Sequence, residues 1–136
     1  MRRIRQYIQL LLIILLASCQ STHQYPAAAD ALDAAREFID ASIRGDFEKA
    51  NAYLLQDEKN KQLLKEEEEK YRAKTNAQQK QLSESSLQNI SIEEVSAKET
   101  IVKFKNSMDK VSRKVKVISV NNRWLVDFKY SFNPNL

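Results

Sequence analysis

The spacing of apolar residues changes midway along the chain, and this change constrains the fold more than any other feature. Up to about residue 73, apolar side chains recur every three or four positions; from Ile90 onward they alternate with polar ones. The first period is that of a helix with one buried face and the second that of a half-buried strand. Helices followed by strands describe an α+β domain, not alternating strand–helix–strand units. A chain of 136 residues holds one such domain.

The helical half divides at three aspartates. Asp30 is placed to cap a first helix by accepting from free backbone N–H groups, and Asp33 suits the positive end of its dipole. Leu32, Ala35, Ile39 and Ile43, with Phe38 beside them, form one apolar face. Gly45 ends this helix as a left-handed cap. Asp46 opens a second helix in which Phe47, Ala50 and Leu54 share a face. Asp57 opens a third that reaches roughly Ala73, with Leu63, Leu64 and Tyr71 as its apolar contacts. Its run Glu66–Glu69 reads as a solvated face. Glu66–Lys70 and Glu68–Arg72 are pairs four residues apart in the favourable order, each worth about 0.2–0.5 kcal/mol. Thr75 to Ser86 is rich in Gln and Ser and reads as a frayed end and loop.

In the second half, Ile90 and Ile92, then Val102 and Phe104, then Val115 and Val117, and finally Trp124, Val126, Phe128, Tyr130 and Phe132 mark four strands. Asn121-Asn122 suits a two-residue hairpin turn because asparagine tolerates positive φ. The expectation is three N-terminal helices on one face of a four-stranded antiparallel sheet. With Asn121-Asn122 as a turn, Ser119 faces Trp124, Val117 faces Val126 and Val115 faces Phe128. A turn at Asp109-Lys110 sets Phe104 opposite Val115 and Val102 opposite Val117. Both registers gather apolar residues on one face, which a one-residue slip would scatter.

The same registers place Ile101, Ile118 and Leu125 in an aliphatic row on the outer face, and Lys105, Lys114 and Lys129 side by side in a lysine row. Like charges directly opposite are destabilising. The outer face is thus a candidate interface, for a second copy through the aliphatic row or for an acidic partner through the lysines. The alternative is a solvated face with an ordinary small apolar patch.

The first residues point elsewhere. Arg2, Arg3 and Arg5 precede an apolar run, Ile8 to Ala17, interrupted only by Gln9, and then Leu16-Ala17-Ser18-Cys19. A basic start, a short apolar core and small residues form a secretory signal. The run is shorter than the roughly 20 residues that span a bilayer. The ending resembles a bacterial lipobox. That resemblance implies a mature chain starting at Cys19, with diacylglycerol on its thiol and an N-acyl chain, anchored to a membrane of the cell envelope and facing the periplasm. The expected organisation is a signal over 1–18, a lipidated tether over 19–29 containing His23, the domain over 30–132 and a tail over 133–136.

Removing the signal changes the charge. The whole chain carries 22 basic and 18 acidic side chains, and three of the basic ones precede Ser18. The mature chain is close to neutral, so its charge gives no argument for a nucleic-acid partner. One cysteine and one histidine exclude a disulfide framework and a multi-histidine metal site. No metal or cofactor is expected.

Two stretches carry a family resemblance: Ala34-Ala35-Arg36-Glu37-Phe38-Ile39-Asp40-Ala41, and Gly45-Asp46-Phe47-Glu48-Lys49-Ala50. With the closing Asn121-Asn122-Arg123-Trp124-Leu125-Val126, they resemble small bacterial lipoproteins of a domain-of-unknown-function group called lumazine-binding-like, in the nuclear-transport-factor-2-like superfamily. The family's usual glycine at the last turn is Asn122 here. Over about residues 30–130, the resemblance implies a cone-shaped roll, with a curved sheet wrapped on a long first helix. Such cones often leave a pocket, which carries acid/base residues in steroid isomerases, polyketide cyclases and scytalone dehydratases and none in many other members.

An isomerase-type site needs a carboxylate base and an oxyanion donor facing an apolar cavity. Asp127 falls on the outer face by register, opposite Lys116. Glu94 sits at a strand end, Asp40 lies beside the core stripe, and Ser119 has no base in sight. No catalytic residue is expected. Thr100, Ser119, Asn106 and Tyr130 are candidates to line a small pocket beside Trp124; the other reading is that Trp124 and Phe128 are core. The function expected is a lipid-anchored, non-catalytic domain that binds a partner protein or small ligand, with a pocket enzyme of the superfamily as the alternative.

Overall fold

The computed structural model describes residues 24–132; the expected signal over 1–18, Cys19 and His23 of the tether, and the tail over 133–136 lie outside the described residues. Four helices precede a four-stranded antiparallel sheet: α1 Ala31–Arg44, α2 Phe47–Ala52, α3 Glu58–Arg72, α4 Asn76–Ser83, β1 Leu87–Ser96, β2 Glu99–Asn106, β3 Ser112–Val120 and β4 Arg123–Asp127. The strands lie in sequence order. The fold is α+β.

Each of the three aspartate caps forms. Asp30 accepts from the Asp33 N–H, Asp46 from the Lys49 N–H and Asp57 from the Asn60 N–H. Gly45 ends α1 at φ +79°. Along α1, Ala34, Ala35, Phe38 and Ile39 are buried, and the helix lies against β2, β3 and β4. Tyr25 and Ala28, ahead of α1, also rest on this core, and the Tyr53 hydroxyl donates to the Pro26 carbonyl at 3.0 Å.

The fourth helix, α4, replaces the expected loop. A capping box nucleates it: Thr75 accepts from the Gln78 N–H while Gln78 Oε1 accepts from the Thr75 N–H. No side chain of α4 is fully buried, so the periodicity that reveals a packed helix is missing. On α3 the Glu68–Arg72 pair forms, but Lys70 pairs with Glu67 at 2.6 Å and Glu66 accepts from Gln62 instead.

The β3–β4 hairpin has the expected register, Ser119 opposite Trp124, Val117 opposite Val126 and Lys116 opposite Asp127, with Asn121 and Asn122 both at positive φ. The β2–β3 hairpin lies two residues away from expectation: Val102 faces Val115, Thr100 faces Val117 and Phe104 faces Arg113. The cause is its loop. Asn106 accepts from the Lys110 N–H at its carbonyl (2.9 Å) and from the Met108 N–H at its side chain (2.8 Å), so five residues, not two, connect the strands. A shift of two keeps every side chain on its face. Val102, Phe104, Val115, Val117 and Val126 are therefore buried together.

The shift dissolves both outer rows. Ile101 is buried and faces Lys116, while Ile118 faces Leu125 and Glu99. Lys105 faces Ser112, and Lys114 faces Lys103, whose ammonium bonds Glu93 at 2.7 Å. Lys129 is not in the sheet. β4 stops at Asp127, and Phe128–Ser131 turn into a 3₁₀ helix that tilts the Phe128 ring onto Phe38 at 5.0 Å.

The two sheet edges differ. Val126 donates to the Tyr53 carbonyl (2.8 Å) and accepts from the Leu55 N–H (2.9 Å), so the segment after α2 bridges the edge of β4. β1 forms the other edge. A bulge at Asn89, φ +50°, leaves Ile90 half-buried and Ile92 50% exposed, where strict alternation would have buried both.

Candidate functional site

The end of the sheet carrying the β2–β3 loop opens into a cleft of about 1050 Å³, bounded by α1, α3, α4, the loop and the 3₁₀ helix. Its floor is aromatic and aliphatic. Phe38 and Ile39 project from α1, Phe104 and Val115 from neighbouring strands, and Phe128 from the first residue of the 3₁₀ helix. Phe47 and Tyr71 meet edge to face at 5.7 Å on the helical side. Met108 and Phe132, both largely exposed, stand among the lining residues. This volume is at the upper end of that for small-molecule sites, which are mostly apolar with a few polar groups.

The lining is cationic. Lys70, Lys74 and Arg113 line it on the helical side of the sheet, and Lys103, Lys105 and Lys114 border it from outer-face positions of β2 and β3, against two carboxylates, Glu67 and Asp109. Both carboxylates are engaged. Lys70 holds Glu67, and the Arg113 guanidinium forks onto Asp109, with Nη1 to Oδ1 at 2.9 Å. That guanidinium, helped by the Val111 N–H, holds the Asp109 carboxyl down at about 2. The Lys114 ammonium lies 5.1 Å from the centre of the Tyr130 ring. Lys74 and Lys105 make no ion pair among the described residues.

Of the pocket residues suggested by sequence, only Asn106 lines this cleft. Its side chain is committed to the fold, donating to Ser85 Oγ at 2.8 Å while accepting from the Met108 N–H. Trp124 packs against the core at the far end of the sheet. Ser119 sits opposite Trp124, and Thr100 is buried opposite Val117. Tyr130 covers the Lys114 and Lys116 ammonium groups instead of facing inward, because the 3₁₀ turn breaks the strand alternation. Sequence reasoning missed the floor as a site because Phe38, Phe104 and Phe128 have the spacing of ordinary core residues.

A second polar cluster lies at the junction of α3 and β4. Asp127, 6% exposed, faces Lys116 (3.7 Å) as the register requires, and it also accepts from Lys129 Nζ (2.7 Å) and from Asn60 Nδ2 (3.1 Å). Asn60 is fully buried, and its Oδ1 accepts from the Lys129 N–H at 2.8 Å. Burial pulls the Lys129 ammonium down, but its hydrogen bonds to Asp127 and Asp57 outweigh this and hold it above the ordinary lysine value. Burial likewise pushes Asp57 up, and the same Lys129 bond, with backbone N–H donors, brings it below the usual carboxylate value. Each member of the cluster is satisfied by another, which fits a structural clasp between the start of α3 and the end of β4.

No group of three or more metal-ligating side chains occurs among the described residues, and no described helix is long and apolar enough to cross a membrane. No protein-family model matches the chain, and a comparison with curated proteins finds none similar to it.

Proposed function

We propose that the chain is a lipid-anchored protein of the cell envelope whose α+β domain binds a small ligand without transforming it, and that the cleft at the β2–β3 end is the binding site. The observation that carries this reading is the cleft itself: a floor of Phe38, Phe104 and Phe128 large enough for a small molecule, with no unpaired carboxylate lining it among the described residues. Glu67 and Asp109 are tied up in ion pairs, and a base so held is poorly placed to take a proton. Asp127 is paired with Lys116 and Lys129 and does not line the cleft. The Leu16-Ala17-Ser18-Cys19 ending supports the anchor. The resemblance to nuclear-transport-factor-2-like lipoproteins supports a pocket near the first helix.

Fractionation of cells making the full chain tests the anchor. The expected result is wild type in the membrane fraction and Cys19→Ala in the soluble envelope fraction; membrane retention of that variant overturns it. The cleft is tested by native mass spectrometry of the full chain from its host. A small molecule should be carried by wild type and lost from Phe132→Ala or Met108→Lys. Equal retention by both variants places the ligand elsewhere.

A further inference from the structure

We propose that the outer face of the sheet docks an acidic polypeptide segment of a partner protein, and that Lys105 and Lys114 receive its carboxylates. This surface lies across the sheet from the apolar floor, so the proposal stands apart from the cleft and from any ligand held there.

The register builds the surface. With Val102 opposite Val115 on the inner face, the adjoining outward pair is Lys103 opposite Lys114, and Lys105 stands diagonal to Lys114. Ser91, Lys103 and Ser112, on the same side, are exposed, so this part of the face is open. Like charges directly opposite destabilise a sheet, so the Lys103–Lys114 pair costs the fold stability. Glu93 relieves Lys103 at 2.7 Å. Lys105 and Lys114 have no ion-pair partner among the described residues. Both are nevertheless half-buried. Their stems lie along the sheet, and the Lys114 ammonium is held 5.1 Å from the centre of the Tyr130 ring. Side chains already held in place lose little freedom when a partner binds.

The arrangement selects the partner. A face of unpaired ammonium groups attracts an anion and repels a cation. Diagonal neighbours in a sheet stand about 7–8 Å apart. Alternate side chains of an extended chain repeat at about 7 Å, so successive acidic residues can reach Lys105 and Lys114 in turn, whereas a single phosphate is smaller than that span. A bilayer of anionic lipid meets the face as a whole, and there the lysines are interleaved with Glu93, Glu99 and Asp127. A segment one chain wide meets only the positions it crosses. Its path continues toward Lys110, whose ammonium is fixed by Gln88 at 2.8 Å, the residue opposite Lys105 on the other side.

The test uses the full chain carrying Cys19→Ala, titrated with a synthetic peptide alternating Glu and Ser and with its Gln counterpart. Nuclear magnetic resonance follows the amides of Lys105 and Lys114. The Glu peptide should shift them and bind about tenfold more tightly than the Gln peptide. Lys105→Glu/Lys114→Glu should lose that tenfold, and Lys105→Gln/Lys114→Gln should lose most of it. Lys59→Glu/Lys61→Glu, the same change of charge in the first turn of α3, where acids suit the helix, should bind as wild type does. Equal affinity for the two peptides, or no shift at Lys105 and Lys114, overturns the docking surface. Equal losses in the outer-face and α3 variants overturn it as well, in favour of net charge alone. Inorganic phosphate, or vesicles of phosphatidylglycerol, shifting the same amides as strongly as the Glu peptide overturns a polypeptide as the occupant.

Discussion

Gly45 combines two demands that no other residue meets. Its φ of +79° costs a side-chain-bearing residue about 1–2 kcal/mol, and a β-carbon there would lie 2.5 Å from the Tyr71 ring. Gly45→Ala should therefore destabilise the domain by about 2–4 kcal/mol, read as a lowered urea midpoint with unchanged slope. Asn60 is as demanding for a different reason. Asn60→Leu leaves Asp127 without its amide donor and the Lys129 N–H without an acceptor in a buried setting. A loss of about 2–3 kcal/mol is expected in the same measurement. The glycine was legible in the sequence, because a cap is a local event and Asp46 directly follows it. The asparagine was not. Its partners lie 67 and 69 residues away, and nothing in the spacing of α3 distinguishes Asn60 from a solvated residue of a helix's first turn.

Elements were legible wherever burial imposed a period. α1, α2 and α3 begin and end at their capping residues, and the β3–β4 register follows from two asparagines that accept positive φ. The β2–β3 register moved because Asn106 binds its own loop, a choice that alternation cannot encode, since a two-residue shift leaves each face unchanged. α4 escaped notice because caps, not an apolar stripe, define it. The floor of the cleft was hidden for a related reason: Phe38, Phe104 and Phe128 have the spacing of core residues, and that spacing does not tell a filled core from an open one. The β2–β3 loop yields a pH prediction. Asp109 titrates at about 2 in the fold, against 3.8 when unpaired. A depressed carboxylate contributes stability in full above 3.8, and this contribution is lost as pH falls through about 2. Arg113→Gln should remove that acid-side slope, seen in urea midpoints taken across this window. The pair is partly exposed, so the effect at neutral pH should stay below about 1 kcal/mol.

Across the whole molecule, protection is uneven. β2, β3 and β4 lie under α1, whereas β1 has no fully buried residue, and Ile92 and Val95 are half exposed. Amide hydrogen exchange should therefore be slowest at Val115, Val117 and Val126 and measurably faster from Glu93 to Ser96. Equal protection in β1 would mean that something covers it in solution. The bridge of Tyr53 and Leu55 to Val126 bears on the same asymmetry. Both backbone groups of Val126 are occupied in a strand of only five residues, so that margin has little left to offer another chain. Growth by strand addition is confined to the opposite margin. Two molecules joined there, β1 against β1, would present only their bridged margins outward. The assembly would close at a pair, a built-in stop against fibre formation.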